Sequence, residues 1–206
     1  TNNIVIRKAQ QNIVQYDKNG EQHYDIISAF IKSIRGSDPN AAIYWLARMI
    51  EGGEDVKFIA RRLLILASED IGNANPTGLV MANNCFQAVN IIGFPEARIT
   101  LSQTVIYLAC SPKSNSAYMA INDAQEEVRN SGNLSIPLHL RNAPTKLMKE
   151  LGYGKDYQYS HNKPTDAQEF LPTEIRGNPY YKPSNNTKEN AFKEGLKNLW
   201  KEKYNY

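Results

Sequence analysis

The sequence predicts an all-α fold, a helical bundle of antiparallel helix hairpins. Three observations carry that reading. Proline and glycine punctuate residues 24–131 in register with apolar residues at helical spacing. No alternating apolar–polar run of strand length competes with them. The connections between the periodic segments are short, which favours antiparallel neighbours.

Residues 1–22 read as a leading segment, a short amphipathic piece (Ile4, Ile6, Ala9, Ile13) that ends in the turn signal Asp17-Lys18-Asn19-Gly20. The first helix spans about Tyr24 to Ile34, with Ile27, Phe30, Ile31 and Ile34 on one face, and Gly36 supplies a left-handed stop. Asp38-Pro39 gives an N-cap and first helical residue to the second helix, which carries Ala42, Ile43, Leu46 and Ile50 and stops at Gly52-Gly53. Asp55 opens the third, with Val56, Ile59, Ala60, Leu63 and Ala67 at helical spacing, and Gly72 ends it. Asn75-Pro76 starts a fourth bearing Leu79, Ala82, Phe86 and Val89, closed by Gly93. Pro95 begins the fifth, striped by Leu101, Val105 and Leu108. After Ser111-Pro112 the sixth carries Ala117, Ile121, Ala124 and Val128 and ends near Gly132.

These helices, residues 23–131, read as one domain. Residues 132–206 follow as a loop, a short helix near Thr145 to Leu151, an arm and a terminal helix, all packed on the same body. The arm holds too many aromatics (Tyr153, Tyr157, Tyr159, Phe170, Tyr180) for a disordered linker. The terminal helix, Thr187 to Lys203, places Phe192, Leu196, Leu199 and Trp200 on one face, with Lys188, Lys193, Lys197 and Lys201 largely on the others.

The composition is that of a soluble globular chain, and no apolar run approaches the roughly 18 to 20 residues of a membrane helix. The sequence does not begin with Met, which suggests an excised or processed piece. Cys85 and Cys110 form no disulfide framework and point to a reducing cytoplasm. A formal charge of +3 permits nucleic-acid contact without arguing for it.

Catalytic signatures are missing. There is no phosphate-cradling G-x-x-x-x-G-K-[ST] loop; Gly52-Gly53 and Gly152-Tyr153-Gly154 read as turns. His23, His139 and His161 lack partners at metal spacing, so no metal site is assigned. Glu69-Asp70 and Glu126-Glu127 read as solvated carboxylates, or as partners for Arg61 and Arg62, rather than acid–base dyads. Arg61 and Arg62 read first as a solvent face or an intersubunit ion pair, and second as a nucleic-acid contact. Arg141, Lys146 and Lys149, around a loop that feeds a short helix, fit an anion such as a DNA phosphate as well as they fit a structural loop.

Several long segments resemble one family. They are Ser28 to Pro39, Tyr44 to Met49, Ile59 to Leu63, Ala67 to Gly72, Gly93 to Arg98, Tyr107 to Ala109, Pro112 to Asn115, Pro137 to Met148 and Leu151 to Gly154. Together they resemble the C-terminal region of the replication-associated recombination protein A (RarA/MgsA) family of AAA+ ATPases. That family is related to clamp-loader subunits and the Werner-helicase-interacting protein. The resemblance implies a collar-like helical domain that assembles homotetramers, in a DNA-dependent ATPase acting at stalled replication forks. It implies ATP and magnesium, both bound by an N-terminal module outside this chain, and no cofactor here. The implied partners are a second copy, DNA and single-stranded-DNA-binding protein, without a membrane, in a nucleoid-associated cytoplasmic setting. A DNA- or partner-binding module through Arg61, Arg62, Arg141, Lys146 and Lys149 is the alternative.

Overall fold

A computed structural model describes residues 21–161, 168–200 and 202–206, with no side-chain description for Glu21 and Gln22. The leading amphipathic piece and its turn, and Lys201, lie outside the described residues. The described chain is helical without strands, as the periodicity predicts. It falls into two compact units, one ending at Asn115 and one starting at Ser116.

The first unit holds α1 (Glu21–Arg35), α2 (Pro39–Glu51), α3 (Val56–Leu66), α4 (Thr77–Ile92) and α5 (Ala97–Cys110). Local chemistry sets the helix starts. The Asp38 carboxylate accepts the Ala41 amide at 2.9 Å, and Asp55 accepts that of Lys57 at 3.0 Å, each satisfying a donor that the first turn leaves unpaired. The left-handed residue after α1 is Ser37, at φ 61°, and not Gly36. Shifting the turn by one residue lets the Asp38 amide bond Ser33 O at 3.0 Å while Asp38 keeps its extended capping conformation.

The core is built from one face of each helix: Ile27, Phe30 and Ile34 from α1, Leu46 and Met49 from α2, Ile59 and Leu63 from α3, Val89 from α4, Leu101 and Leu108 from α5. α1 packs on α2, α3 on α4, and α5 touches all of them. The third helix does not run to Gly72. Its α-helical part stops at Leu66 and continues as a π-helical turn, Ala67–Ile71, then a 3₁₀ turn, Gly72–Ala74. Leu79 is not in the core, being 45% exposed. The inward face of α4 is instead Gly78, Ala82, Cys85 and Val89. Gly78 leads it because Ile71 and Leu108 crowd the space where a Cβ would stand.

The second unit contains α6 (Ser116–Ser131), a 3₁₀ turn at Leu138–Leu140, α7 (Lys146–Glu150), a 3₁₀ turn at Thr173–Ile175 and α8 (Thr187–Trp200). Its organisation differs in kind. Among the described residues, every fully buried side chain in it is polar: Ser116, Gln168 and Glu189. The expected apolar stripe of α6 faces outward, with Ile121 54% and Val128 65% exposed. α8 likewise turns Glu189 inward and leaves Phe192 and Leu199 largely exposed. The arm and α8 meet α6 through polar groups. Asn178 donates to Glu127 at 3.2 Å, Lys182 lies 3.9 Å from Asp123, and Ser116 donates to the buried Glu189. These contacts group α6 with the arm, so the chain parts one helix before the sequence-based boundary at 131/132.

Gly72 has φ 48°, and a Cβ there would stand 2.8 Å from Ser114 O. Gly93, at φ 69°, has nothing within 4 Å of its added Cβ. Both substitutions incur the left-handed backbone cost of roughly 1–2 kcal/mol, and only the first also collides with backbone. Gly72→Ala is therefore expected to lower the urea midpoint clearly more than Gly93→Ala does.

Candidate functional site

A polar junction closes one end of the first unit. Arg35, the last residue of α1, forks onto Asp70: Nε donates to Oδ1 at 2.6 Å and Nη2 to Oδ2 at 3.2 Å. Glu69 lies 3.6 Å from the same guanidinium. Asp70 is buried in the π-helical turn, and its backbone carbonyl accepts the Ser114 amide at 2.7 Å. Lys113 donates to Ser37 Oγ at 2.8 Å, Ala109 O at 2.9 Å and Ser111 O at 2.6 Å. Burial pushes the Lys113 ammonium down from its ordinary pKa, against the pull of nearby Cys110 and Asp70. Asn75 bridges the Tyr107 hydroxyl and Ser111 Oγ, both at 3.0 Å. Four of the sequence segments singled out above thus meet at one place: Ser28 to Pro39, Ala67 to Gly72, Tyr107 to Ala109 and Pro112 to Asn115. The junction corrects one reading, because Asp70 is neither solvated nor a partner of Arg61 or Arg62. Its partner Arg35 is too distant in sequence for any helical spacing rule to reveal.

A second feature is apolar. The outward stripe of α5 is Ile99, Gln103, Ile106 and Cys110, with Ile99 59% exposed. The C-terminal end of α4 adds Ile91 and Ile92 and the turn into α5 adds Phe94, and Ile91 is 82% exposed. The inward face of the same helix is also apolar, so α5 is apolar on two sides, a pattern that belongs to a helix covered on both.

The five basic residues fall in different settings. Arg61 is exposed, 3.9 Å from Asp55 and over the Phe58 ring. Arg62 is half-buried, and its Nε is buried with no hydrogen-bond partner among the described residues. Arg141 turns back into its own unit: Nε donates to Ile136 O at 2.8 Å, Nη1 to the Tyr153 hydroxyl at 3.1 Å, and the guanidinium lies over that ring. That is a structural use of the side chain. Lys146 is solvated, 4.0 Å from Glu150, and Lys149 is exposed. Thr145 caps α7 by accepting the Met148 amide at 3.3 Å. Among the described residues no group of three or more His, Cys, Asp or Glu side chains could hold a metal ion. No described helix is long and apolar enough to cross a membrane. Gly53, Gly152 and Gly154 sit at positive φ as turn residues and build no phosphate cradle.

The family model described as MgsA AAA+ ATPase C terminal matches residues 36–200. The chain belongs to that family. A second model, AAA C-terminal domain, matches residues 1–35. Proteins named Replication-associated recombination protein A are similar to this chain. The one from Coxiella burnetii is 44% identical over 94% of this chain and 44% of its own length. The one from Bacillus subtilis is 47% identical over 94% and 47% respectively. The ATPase WRNIP1 of Dictyostelium discoideum is 42% identical over 84% of this chain and 20% of its own length. The chain spans less than half the length of these curated relatives.

The second unit's stability has a pH signature. Burial works against the charged form of Glu169. The Leu171 amide, the Lys203 ammonium and the Phe170 amide outweigh it, so the carboxyl titrates below its ordinary range. A depressed carboxylate pKa stabilises the fold above the unfolded value, roughly pH 4.3, and that contribution is lost as pH falls through the folded value. Glu169→Gln is expected to lower the urea midpoint at pH 7 and to flatten its decline between about pH 5 and 3.

Proposed function

We propose that this chain is the homotetrameric self-association domain of a DNA-dependent AAA+ ATPase acting in replication, recombination and repair at stalled forks. The observation that carries the reading is the outward apolar surface formed by α5, the end of α4 and the turn between them. A large apolar side chain contributes about 1.5–3 kcal/mol when fully buried, and the half-exposed isoleucines and phenylalanine here forgo much of that in a single copy. Obligate interfaces resemble a core divided between subunits, which is what a helix with two apolar sides provides. Membership of an AAA+ C-terminal family supplies the context. In this reading the copies are held together here, and ATP and magnesium act in the module that precedes the chain. DNA and single-stranded-DNA-binding protein are the partners of the assembled ATPase, in the nucleoid region of the cytoplasm.

A DNA contact within this chain is a second reading, supported only by the solvated Lys146 and Lys149 in the second unit and, separately, by the exposed Arg61 in the first. Such a contact would weaken steeply with salt. Unchanged DNA affinity of the full-length protein after charge reversal at Lys146 and Lys149 would remove α7 from it.

Light scattering of the chain at micromolar concentration tests the leading reading. A mass near four times the chain is expected, and Ile99→Glu with Ile106→Glu should shift it to smaller species while the helical circular dichroism persists. A monomer in the unaltered chain would overturn it.

A further inference from the structure

The two family models meet between Arg35 and Gly36, at the end of α1. α1 is nevertheless not an appendage. Ile26, Ile27, Phe30, Ile31 and Ile34 are all buried in the core that residues 36–115 complete. The AAA-type segment and the C-terminal body therefore share a helix with no linker between them. Any force that the preceding module exerts on α1 enters this core directly.

The flank of α1 beside α3 is open. Tyr24, Ile27, Ile31 and Lys32 from α1, with Phe58 and Arg62 from α3, line a groove of about 470 Å³. Its floor is apolar and its edges are cationic. The Nε of Arg62 is buried there with no acceptor among the described residues, a state in which its lost hydration is uncompensated unless something supplies one. Tyr24, in the first turn of α1, is 71% exposed beside this floor. Native folds rarely leave a guanidinium nitrogen in that condition, and no described residue supplies the acceptor.

We propose that this groove is the seat of the AAA module that precedes the chain in the full-length polypeptide. The occupant is a segment presenting an apolar side chain to Ile27, Ile31 and Phe58, and a carboxylate to Arg62. Three features favour it over other occupants. More than half the length of the relatives lies outside the matched region. The family boundary places AAA-type sequence at the α1 end of the chain. The unpaired donor and Lys32 are complementary to an acidic group. Arg62 is thereby a domain-coupling residue, whereas its neighbour Arg61, already beside Asp55, is not. The proposal does not depend on self-association, which uses a different surface.

Hydroxyl-radical footprinting tests it on two proteins at equal subunit concentration, this chain and the full-length polypeptide. Tyr24 modification should fall several-fold in the full-length protein. Arg62→Glu in the full-length protein should restore it, and Arg61→Glu should not. Equal Tyr24 modification in the two unaltered proteins would overturn the proposal without any variant having to fold. So would protection in this chain alone that rises with its concentration, which would make a second copy the occupant. Persistent protection in folded Arg62→Glu would remove the role given to Arg62. Light scattering on the same samples separates this test from that of the tetramer.

Discussion

The first unit is organised around Asp70. Its carboxylate takes the fork of Arg35 and so fixes the end of α1, while its backbone carbonyl takes the Ser114 amide and so fixes the chain leaving α5. Both uses require the carboxylate and carbonyl to point in different directions from one buried residue. The π-helical turn at Ala67–Ile71 accompanies this arrangement, and Gly72 at φ 48° turns the backbone beneath Ser114. A side chain at Gly72 would stand where that neighbouring backbone runs. The apolar core supplies the driving force for folding, but this junction sets the register in which α1 and the loop after α5 close on it.

The second unit is constrained differently. Its buried groups are polar, and Glu189 illustrates the consequence. The carboxylate is fully buried and accepts from Ser116, from the Tyr181 hydroxyl at 3.0 Å and from Asn186 Nδ2 at 2.6 Å. Such a network selects one arrangement of α6, the arm and α8 because every alternative leaves a buried acceptor unmet. It leaves the apolar side chains of α6 and α8 on the outside.

Much of the site was hidden from the sequence for a definite reason. Spacing rules report neighbours within a few turns of one helix, and the junction pairs Arg35 with Asp70 and Lys113 with Ser37. Arg141 looked as suited to a phosphate as to a loop, because its donors find Ile136 O and Tyr153 only when the chain has turned at Gly152. Arg61 and Arg62 look alike in sequence and separate only when α3 is packed, one into solvent and one beside α1. Leu79 was misplaced because a glycine, Gly78, occupies the tight inward position that a hydropathy pattern assigns to a large residue.

The sequence by itself determined the helices. Asp–Pro and Asp caps, glycine stops and apolar residues at helical spacing act within a few residues, so they fix where α1 to α5 lie and which face of α1, α3 and α5 is inward. The family segments also stood in the sequence, where the match to the MgsA AAA+ ATPase C-terminal family now places them. Only the tertiary structure decided which polar groups meet, which apolar faces remain exposed and which arginine has no acceptor among the described residues. Those outcomes depend on contacts between residues far apart in the chain, whose geometry exists only after the helices have packed.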